Sequence, residues 1–550
     1  MRLRRSSSTW LVLLVLAGLL ATVMVGCTRT PAPTTPTTPT TPTTPTTPAT
    51  PVTLRRAFSY GADPGNVDPM LSSRIDQMTI VTQIFDTLIF LNAYTGKFEP
   101  RIAKEWKISE DGLTYSFVLN QGIKFHHGRE LVAEDVKHTI ERVLKPANAS
   151  PMAGRYHDIV GARDFAEGKA TTVSGIKVKG KYEVDITLTR WNPVFLYTLA
   201  GTSASIVPIE EAERLKDRFG HEPVGSGPFV FVSWRKDDRL TVKANENWFM
   251  GKPSIDIIET RILPEGATKE AEFLAGNLDY IVLSGAQYSK YQNDPKWKPY
   301  ILEVAELFTR HFAFNTQKPP FDKVEVRQAF NYAIDREPII KNVLHNKAVL
   351  ATGVLPPSLP AYNPNLKGYE YNPQKAKELL AQAGYPNGFT VEIICTDHAA
   401  WGLPAVEATM GYLSQVGITL KPVLMDATSM VDITNRGDYF VHSYSRGGNA
   451  SSLDYLYSRF HSKFINGLGN VAQYVNPQVD ALLDAALSER DTQKQYELLR
   501  QAEAIIVHDA PWMFFNYNKA VVLHQPWLQN LLAIPTDIDL QHWWKLKINR

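Results

Sequence analysis

Cysteine is nearly missing: the 550 residues contain two, Cys27 and Cys395. A disulfide framework is thereby excluded, and Cys395, in the apolar run Val391-Glu392-Ile393-Ile394-Cys395, reads as a thiol buried in a strand rather than a nucleophile. Charge of one sign is missing as well. Lys and Arg number 58 against 56 Asp and Glu, a net charge of +2, and no block of like charges follows the first five residues, which excludes nucleic acid as a partner. Common catalytic motifs are also lacking: there is no Gly-x-Ser-x-Gly elbow, no His-Glu-x-x-His helix and no Gly-Lys-Ser/Thr phosphate loop. A hydrolase survives only as a distant alternative, because paired carboxylates far apart in a chain leave no signature. His126-His127 and His442 have no companions at ligand spacing. The residues therefore call for no metal and no cofactor.

Long apolar runs are confined to the amino terminus. Arg2, Arg4 and Arg5 precede an apolar stretch from Trp10 to Val25, and Met24-Val25-Gly26-Cys27 places a small residue before cysteine. This predicts a lipoprotein signal over residues 1–27, with Cys27 as the lipid attachment site. An uncleaved anchor is the alternative, since the run approaches the lower limit for spanning a bilayer. Residues 28–52 are little but Thr-Thr-Pro repeats. Proline fixes φ and removes donors, so the segment cannot pack and forms an extended tether, its repeats from Pro31 to Pro51 spanning up to roughly 65 Å at about 3.1 Å per residue. The body is expected outside the membrane, held to it by lipid.

Residues 83 to 145 carry the most organised text. Leu113-Thr114-Tyr115-Ser116-Phe117-Val118-Leu119 alternates as a strand, Asn120-Gln121-Gly122 forms a turn, and Ile123-Lys124-Phe125 resumes as a second strand. Val136, Ile140, Val143 and Leu144 then recur at helical spacing. Phe85-Asp86-Thr87-Leu88, Pro100-Arg101-Ile102-Ala103-Lys104-Glu105-Trp106, Ser109-Glu110-Asp111-Gly112-Leu113-Thr114-Tyr115, Gly122-Ile123-Lys124-Phe125-His126-His127-Gly128 and Ala133-Glu134-Asp135-Val136 follow one another in order. This succession resembles family 5 of the bacterial extracellular solute-binding proteins, which includes dipeptide, oligopeptide, nickel and some oligosaccharide receptors of ABC importers. Pro223-Val224-Gly225-Ser226-Gly227-Pro228-Phe229 and Val326-Arg327-Gln328-Ala329-Phe330-Asn331-Tyr332-Ala333-Ile334-Asp335-Arg336 resemble further blocks of the family. Gly225 and Gly227 suit a tight backbone path that a Cβ would obstruct.

The resemblance implies an α/β, two-lobe periplasmic-binding-protein-like fold, type II and of the large cluster C class, with a small extra domain and a two-strand hinge. Residues 53–72, 205–310 and 516–550 would form the first lobe, 73–204 the small domain attached to it, and 311–515 the second lobe. The strand at His311-Phe312-Ala313-Phe314-Asn315-Thr316 and the later one at Met513-Phe514-Phe515-Asn516-Tyr517 would be the two crossings. Between them, helix, strand, helix and strand alternate in the βαβ manner.

It further implies a monomeric, non-enzymatic receptor. It would capture an oligopeptide and present it to ABC permease and ATPase subunits supplied by other chains; an oligosaccharide is the alternative solute. In peptide-binding members an aspartate on a second-lobe loop holds the peptide amino group, but an ungapped placement puts Gly448 there. Asp454 is its possible substitute. Arg446 and Asn449 offer a guanidinium and an amide for carboxylates or sugar hydroxyls, with Tyr444 nearby. Trp401 reads either as a stacking platform or as core, and Tyr60 and the Asp63 loop are weaker cleft candidates.

Overall fold

Alternation of period two builds the strand Trp512–His524. Met513 and Phe515 enter one apolar cluster with Phe312, Phe330 and Val391, while Trp512 and Phe514 enter another with Leu499 and Ile506. Further along, Val522 joins a third cluster with Leu54, Phe229 and Trp543, and Val521 and Leu523 a fourth with Phe273 and Trp297. One strand thus threads two separate pairs of cores, packed on both faces at each end. Its antiparallel partner, Ile301–Phe314, does the same. Between the cores both strands turn polar, with Glu306, Thr309 and Arg310 on one and Asn516, Asn518 and Lys519 on the other. Their register jumps between Ala305 and Thr309 and again between Arg310 and His311.

The computed structural model describes residues 50–92, 96–396, 402–447, 450–465 and 469–550; Cys27, the tether, Trp401 and Asn449 lie outside them. Pro51–Arg550 form one compact unit. The crossing strands sit inside a seven-stranded sheet in which Tyr280–Val282 pairs with the end of Trp512–His524, and Val441–Gly447, Phe389–Cys395 and Ile418–Leu424 follow beyond Ile301–Phe314. The last two are parallel, joined by the helix Leu403–Gln415, which is the expected βαβ unit. Cys395 is fully buried among Phe389, Val391 and Ile393. A four-stranded sheet at the other end of the crossing strands joins Thr53–Ala57 to Ile257–Arg261, Arg239–Ala244 and Phe229–Arg235.

A separate four-stranded sheet holds Ala103–Ile108, Thr114–Leu119, Glu183–Thr187 and Ile176–Gly180, covered by the helix Ala133–Leu144. Val136, Ile140, Val143 and Leu144 are all buried there, as their spacing predicts. One expected element is corrected. Ile123-Lys124-Phe125 is not a second strand of this sheet but a loop carrying a single bridge, Lys124 to Glu130. The edge that it would have extended is already taken, because Glu183–Thr187 pairs with Thr114–Leu119. Ile123 and Phe125 are still buried.

The glycine pair meets the tight path foreseen for it. A Cβ on Gly225 would lie 2.1 Å from the Ile84 carbonyl oxygen, and one on Gly227 would lie 2.6 Å from the same carbonyl's carbon. His126 closes the loop: its Nε2 is 3.1 Å from the Gly227 carbonyl, and its Nδ1 accepts from the Gly225 N–H at 3.3 Å. Those roles require a neutral ring, and burial pushes its pKa down to about 4. Gly225→Ala should therefore cost about 3 kcal/mol or more, as overpacking against backbone does. A thermal melt reads this directly, and an unchanged midpoint would contradict the geometry.

Candidate functional site

The chain leaves the strand Thr53–Ala57 through Ser59-Tyr60-Gly61. Gly61 has φ +70, and a Cβ on it would lie 2.6 Å from Pro264 Cα, so only glycine makes this turn without displacement. The turn leaves Tyr60 63% exposed. Its hydroxyl donates to Asp537 Oδ2 at 2.9 Å. Burial and Asp537 nonetheless hold the phenol well above its ordinary range. A ring reachable by water yet walled by protein is what a cleft lining looks like.

Asp537 is drawn inward by its own cap, accepting the Asp539 N–H at 2.8 Å. Burial, and then Asp539 beside it, push its carboxyl up to about 7. Asp539 itself is neutralised by Arg56 at 2.6 Å and takes the Ser59 N–H at 3.0 Å. Glu306 adds negative charge near Tyr60 and Asp537. Positive charge comes from Arg310, 4.0 Å from Glu306, and from Lys347, both depressed by burial. Carboxylates and cations thus share one region around the polar middle of the crossing strands.

A second feature lies where the small sheet's loops meet the other half. Asp158, Arg190 and Trp191 face Asp454, Tyr457 and Lys463 across a cavity of about 190 Å3, and Arg490 donates to the Glu110 carbonyl. A larger groove of about 1070 Å3 runs past Asp68, Glu141, Arg142 and Lys216. Its Arg142 is already paired with Asp68 at 2.5 Å.

Of the residues singled out from sequence, Tyr60 borders the mixed-charge region and Asp454 lines the cavity at the rim. Tyr444 is half-buried, its ring 6.4 Å from His311 and 5.6 Å from His442. The Arg446 backbone pairs with Thr309, directly beside Arg310; its side chain, like Trp401 and Asn449, lies outside what is described. Asp63 is a local staple, accepting from Trp234 Nε1 at 3.2 Å and from the Asp237 and Gly65 N–H groups. Arg310, Glu306 and Asp537 were not foreseen. A signal existed for Arg310: a lone cation in Leu307-Phe308-Thr309-Arg310-His311-Phe312-Ala313-Phe314 contradicts the run around it.

One buried acid ties the site to the fold. Glu503 accepts the Val354 and Leu355 N–H groups at 2.9 and 2.7 Å, and Thr309 Oγ1 donates to the Val354 carbonyl at 2.6 Å, so this loop is pinned against the first crossing strand. Burial raises the Glu503 carboxyl from 4.5 to about 7. The native state therefore holds this proton over a pH range in which the unfolded chain has released it, and stability falls as pH rises from 4.5 to about 7. Glu503→Gln keeps an acceptor and removes the titration. Melting midpoints at pH 5 and pH 8 should differ less in this variant than in the native chain; equal slopes would refute the assignment.

Comparison with known proteins gives a consistent set. A model of bacterial extracellular solute-binding proteins, family 5 Middle, matches residues 97–467. Heme-binding protein A of Haemophilus influenzae is 31% identical over 485 residues, covering 83% of this chain and 86% of the relative. The glutathione-binding protein GsiB of Escherichia coli O157:H7 is 29% identical over 460 residues, covering 81% and 86%. Among solved structures, HbpA2 from Haemophilus parasuis matches with TM-score 0.78 at 26% identity, covering 90% of this chain and 100% of that one. The periplasmic binding protein DppA from Helicobacter pylori, in complex with the peptide STSA, matches with TM-score 0.74 at 26% identity, covering 91% and 99%.

Proposed function

The chain belongs to family 5 of the bacterial extracellular solute-binding proteins and has their type II periplasmic-binding-protein fold; from that premise we propose that its solute is an oligopeptide, captured by closure of one half on the other. Family 5 proteins bind small solutes and deliver them to ABC permeases. The work is binding, with ATP hydrolysed by other chains. The divisions expected from sequence, at 310/311 and 515/516, serve here as the hinge: Thr309, Arg310 and Asn516 interrupt the apolar run at this point, and the register jumps between Arg310 and His311. A few residues there can absorb a rotation that the cores at either end cannot. The lipid at Cys27 and the tether at residues 28–52 keep the receptor captive at the membrane as a monomer.

The observation that carries the peptide reading is charge of both signs in one region, Asp537 and Glu306 beside Arg310 and Lys347. A peptide brings an ammonium and a carboxylate; a neutral oligosaccharide has use for neither. With glycine at position 448, Asp537 is the acid available for the ammonium. Among the described residues, the exposed Tyr60 ring favours a stacked sugar instead.

Short peptides, glutathione, gluco- and manno-oligosaccharides, haem, and nickel with histidine, each tested by thermal shift, separate these readings. A ligand at a hundredfold excess over its Kd stabilises the native state by about 2.7 kcal/mol. Peptides are expected to raise the midpoint and the sugars to leave it unmoved. Stabilisation by sugars with every peptide silent would replace the peptide reading.

A further inference from the structure

Arg310 is a buried cation whose nearest carboxylate among the described residues, Glu306, stops short of hydrogen-bonding distance. It is 8% exposed and stands in the polar middle of the first crossing strand, directly opposite Asn516 on the second, at the register jump before His311. Such a bulge re-aims side chains out of the regular alternation. The facing carboxylate oxygen, Glu306 Oε2, is 4.0 Å away, beyond a hydrogen bond, and the Phe308 ring centre is 5.4 Å from the guanidinium carbon. The Nε has no acceptor, and Asn516 Oδ1, in a fully buried residue, has no donor among the described residues. The other titratable groups in reach are Tyr60, Tyr455 and Lys347. The first two are phenols held above their ordinary range, and the third is another cation, so none of them balances the charge.

A desolvated guanidinium with one carboxylate at 4.0 Å and an unsatisfied Nε is incompletely compensated in the empty protein. A carboxylate brought by the solute would complete that compensation at the free Nε. We infer that Arg310 anchors a carboxylate of the bound solute, with Asn516 Oδ1 accepting a hydrogen bond from an N–H or O–H at the same end of that molecule. The inference rests on the peptide reading and sharpens it by giving the ligand a direction: carboxylate at the crossing strands, ammonium towards Asp537 beneath Tyr60. The guanidinium suits this role because its parallel N–H donors match the two oxygens of a carboxylate, which a lysine ammonium does not reproduce. Burial pushes the Arg310 pKa down to about 10, so the anchor stays charged at neutral pH.

The test uses the native chain, Arg310→Gln and Arg310→Lys, each stripped of cargo by unfolding and refolding. Three measurements are made on each: the midpoint without ligand, the affinity for trialanine against its carboxyl-terminal amide and against the amide of Ala-Asp-Ala, and the shift produced by acetate and succinate. The native chain should bind an acid at least tenfold tighter than its neutral counterpart. Trialanine identifies a terminal carboxylate, and Ala-Asp-Ala amide a side-chain one. Arg310→Gln should bring that ratio close to one, Arg310→Lys should recover only part of it, and the ligand-free midpoint of Arg310→Gln should stay level or rise. A midpoint lowered by 5 °C or more would make Arg310 a structural cation and overturn the inference. An acid preference that survives in Arg310→Gln would overturn it while leaving the peptide reading intact. If no peptide binds, the peptide reading fails by itself; acetate and succinate then decide the anchor, supporting it if they stabilise the native chain and not Arg310→Gln, and overturning it if they stabilise both alike or neither.

Discussion

Two long strands that must be apolar at both ends and polar in the middle set the terms for the rest of this molecule. Ile301–Phe314 and Trp512–His524 are paired along most of their length, yet their apolar residues feed separate cores at the two ends. A polar stretch between cores cannot be packed into either without stranding its side chains. What lies between them is a stretch of largely buried polar and charged side chains, with Thr309 and Asn516 fully buried and Arg310 8% exposed. The pairing of the two strands is itself interrupted in that stretch, between Ala305 and Thr309 and again between Arg310 and His311.

The site inherits its chemistry from the same constraint. Arg310 and Asn516 are opposite one another because the register puts them there, and Asp537 reaches the region because Gly61 turns Tyr60 to meet it at 2.9 Å. Glu503 and Thr309 then fix the Val354 loop against the first strand. A solute entering such a region gains from charges already desolvated on the protein side; under the proposed closure it would bind the closed arrangement better than the open one. That difference would drive the closure proposed above. Relatives described as heme-binding, glutathione-binding and peptide-complexed show how widely one scaffold's cargo varies, as expected when specificity is written in a few polar groups rather than in the fold.

Much of the fold was legible because it is written locally. The period-two run Thr114–Leu119, the helical spacing of Val136, Ile140, Val143 and Leu144, the βαβ unit around Leu403–Gln415 and the glycines at 225 and 227 each carry their own signal, and the ordered family blocks supplied the topology. The lengths of the crossing strands were not legible. From sequence they read as His311–Thr316 and Met513–Tyr517, because Glu306, Arg310, Asn518 and Lys519 break the alternation on which strand recognition depends. The loop at Ile123-Lys124-Phe125 misled in the opposite sense: its alternation reflects burial, not pairing. The site was the least legible part. Asp537, Tyr60 and Arg310 are hundreds of residues apart in the chain and meet only through the crossing strands, whereas the sequence reading concentrated on residues 444–454.

The central claim is that the polar middle of the two crossing strands is a hinge which a bound solute closes. Spin labels at Lys107→Cys and Gln493→Cys, exposed positions in the two halves, in a chain also carrying Cys27→Ser and with Cys395 left buried, report the separation across the rim by dipolar spectroscopy. A saturating peptide should move the distance distribution to a single shorter population, and a ligand-free sample should show a longer one. Identical distributions with and without bound solute would contradict the account.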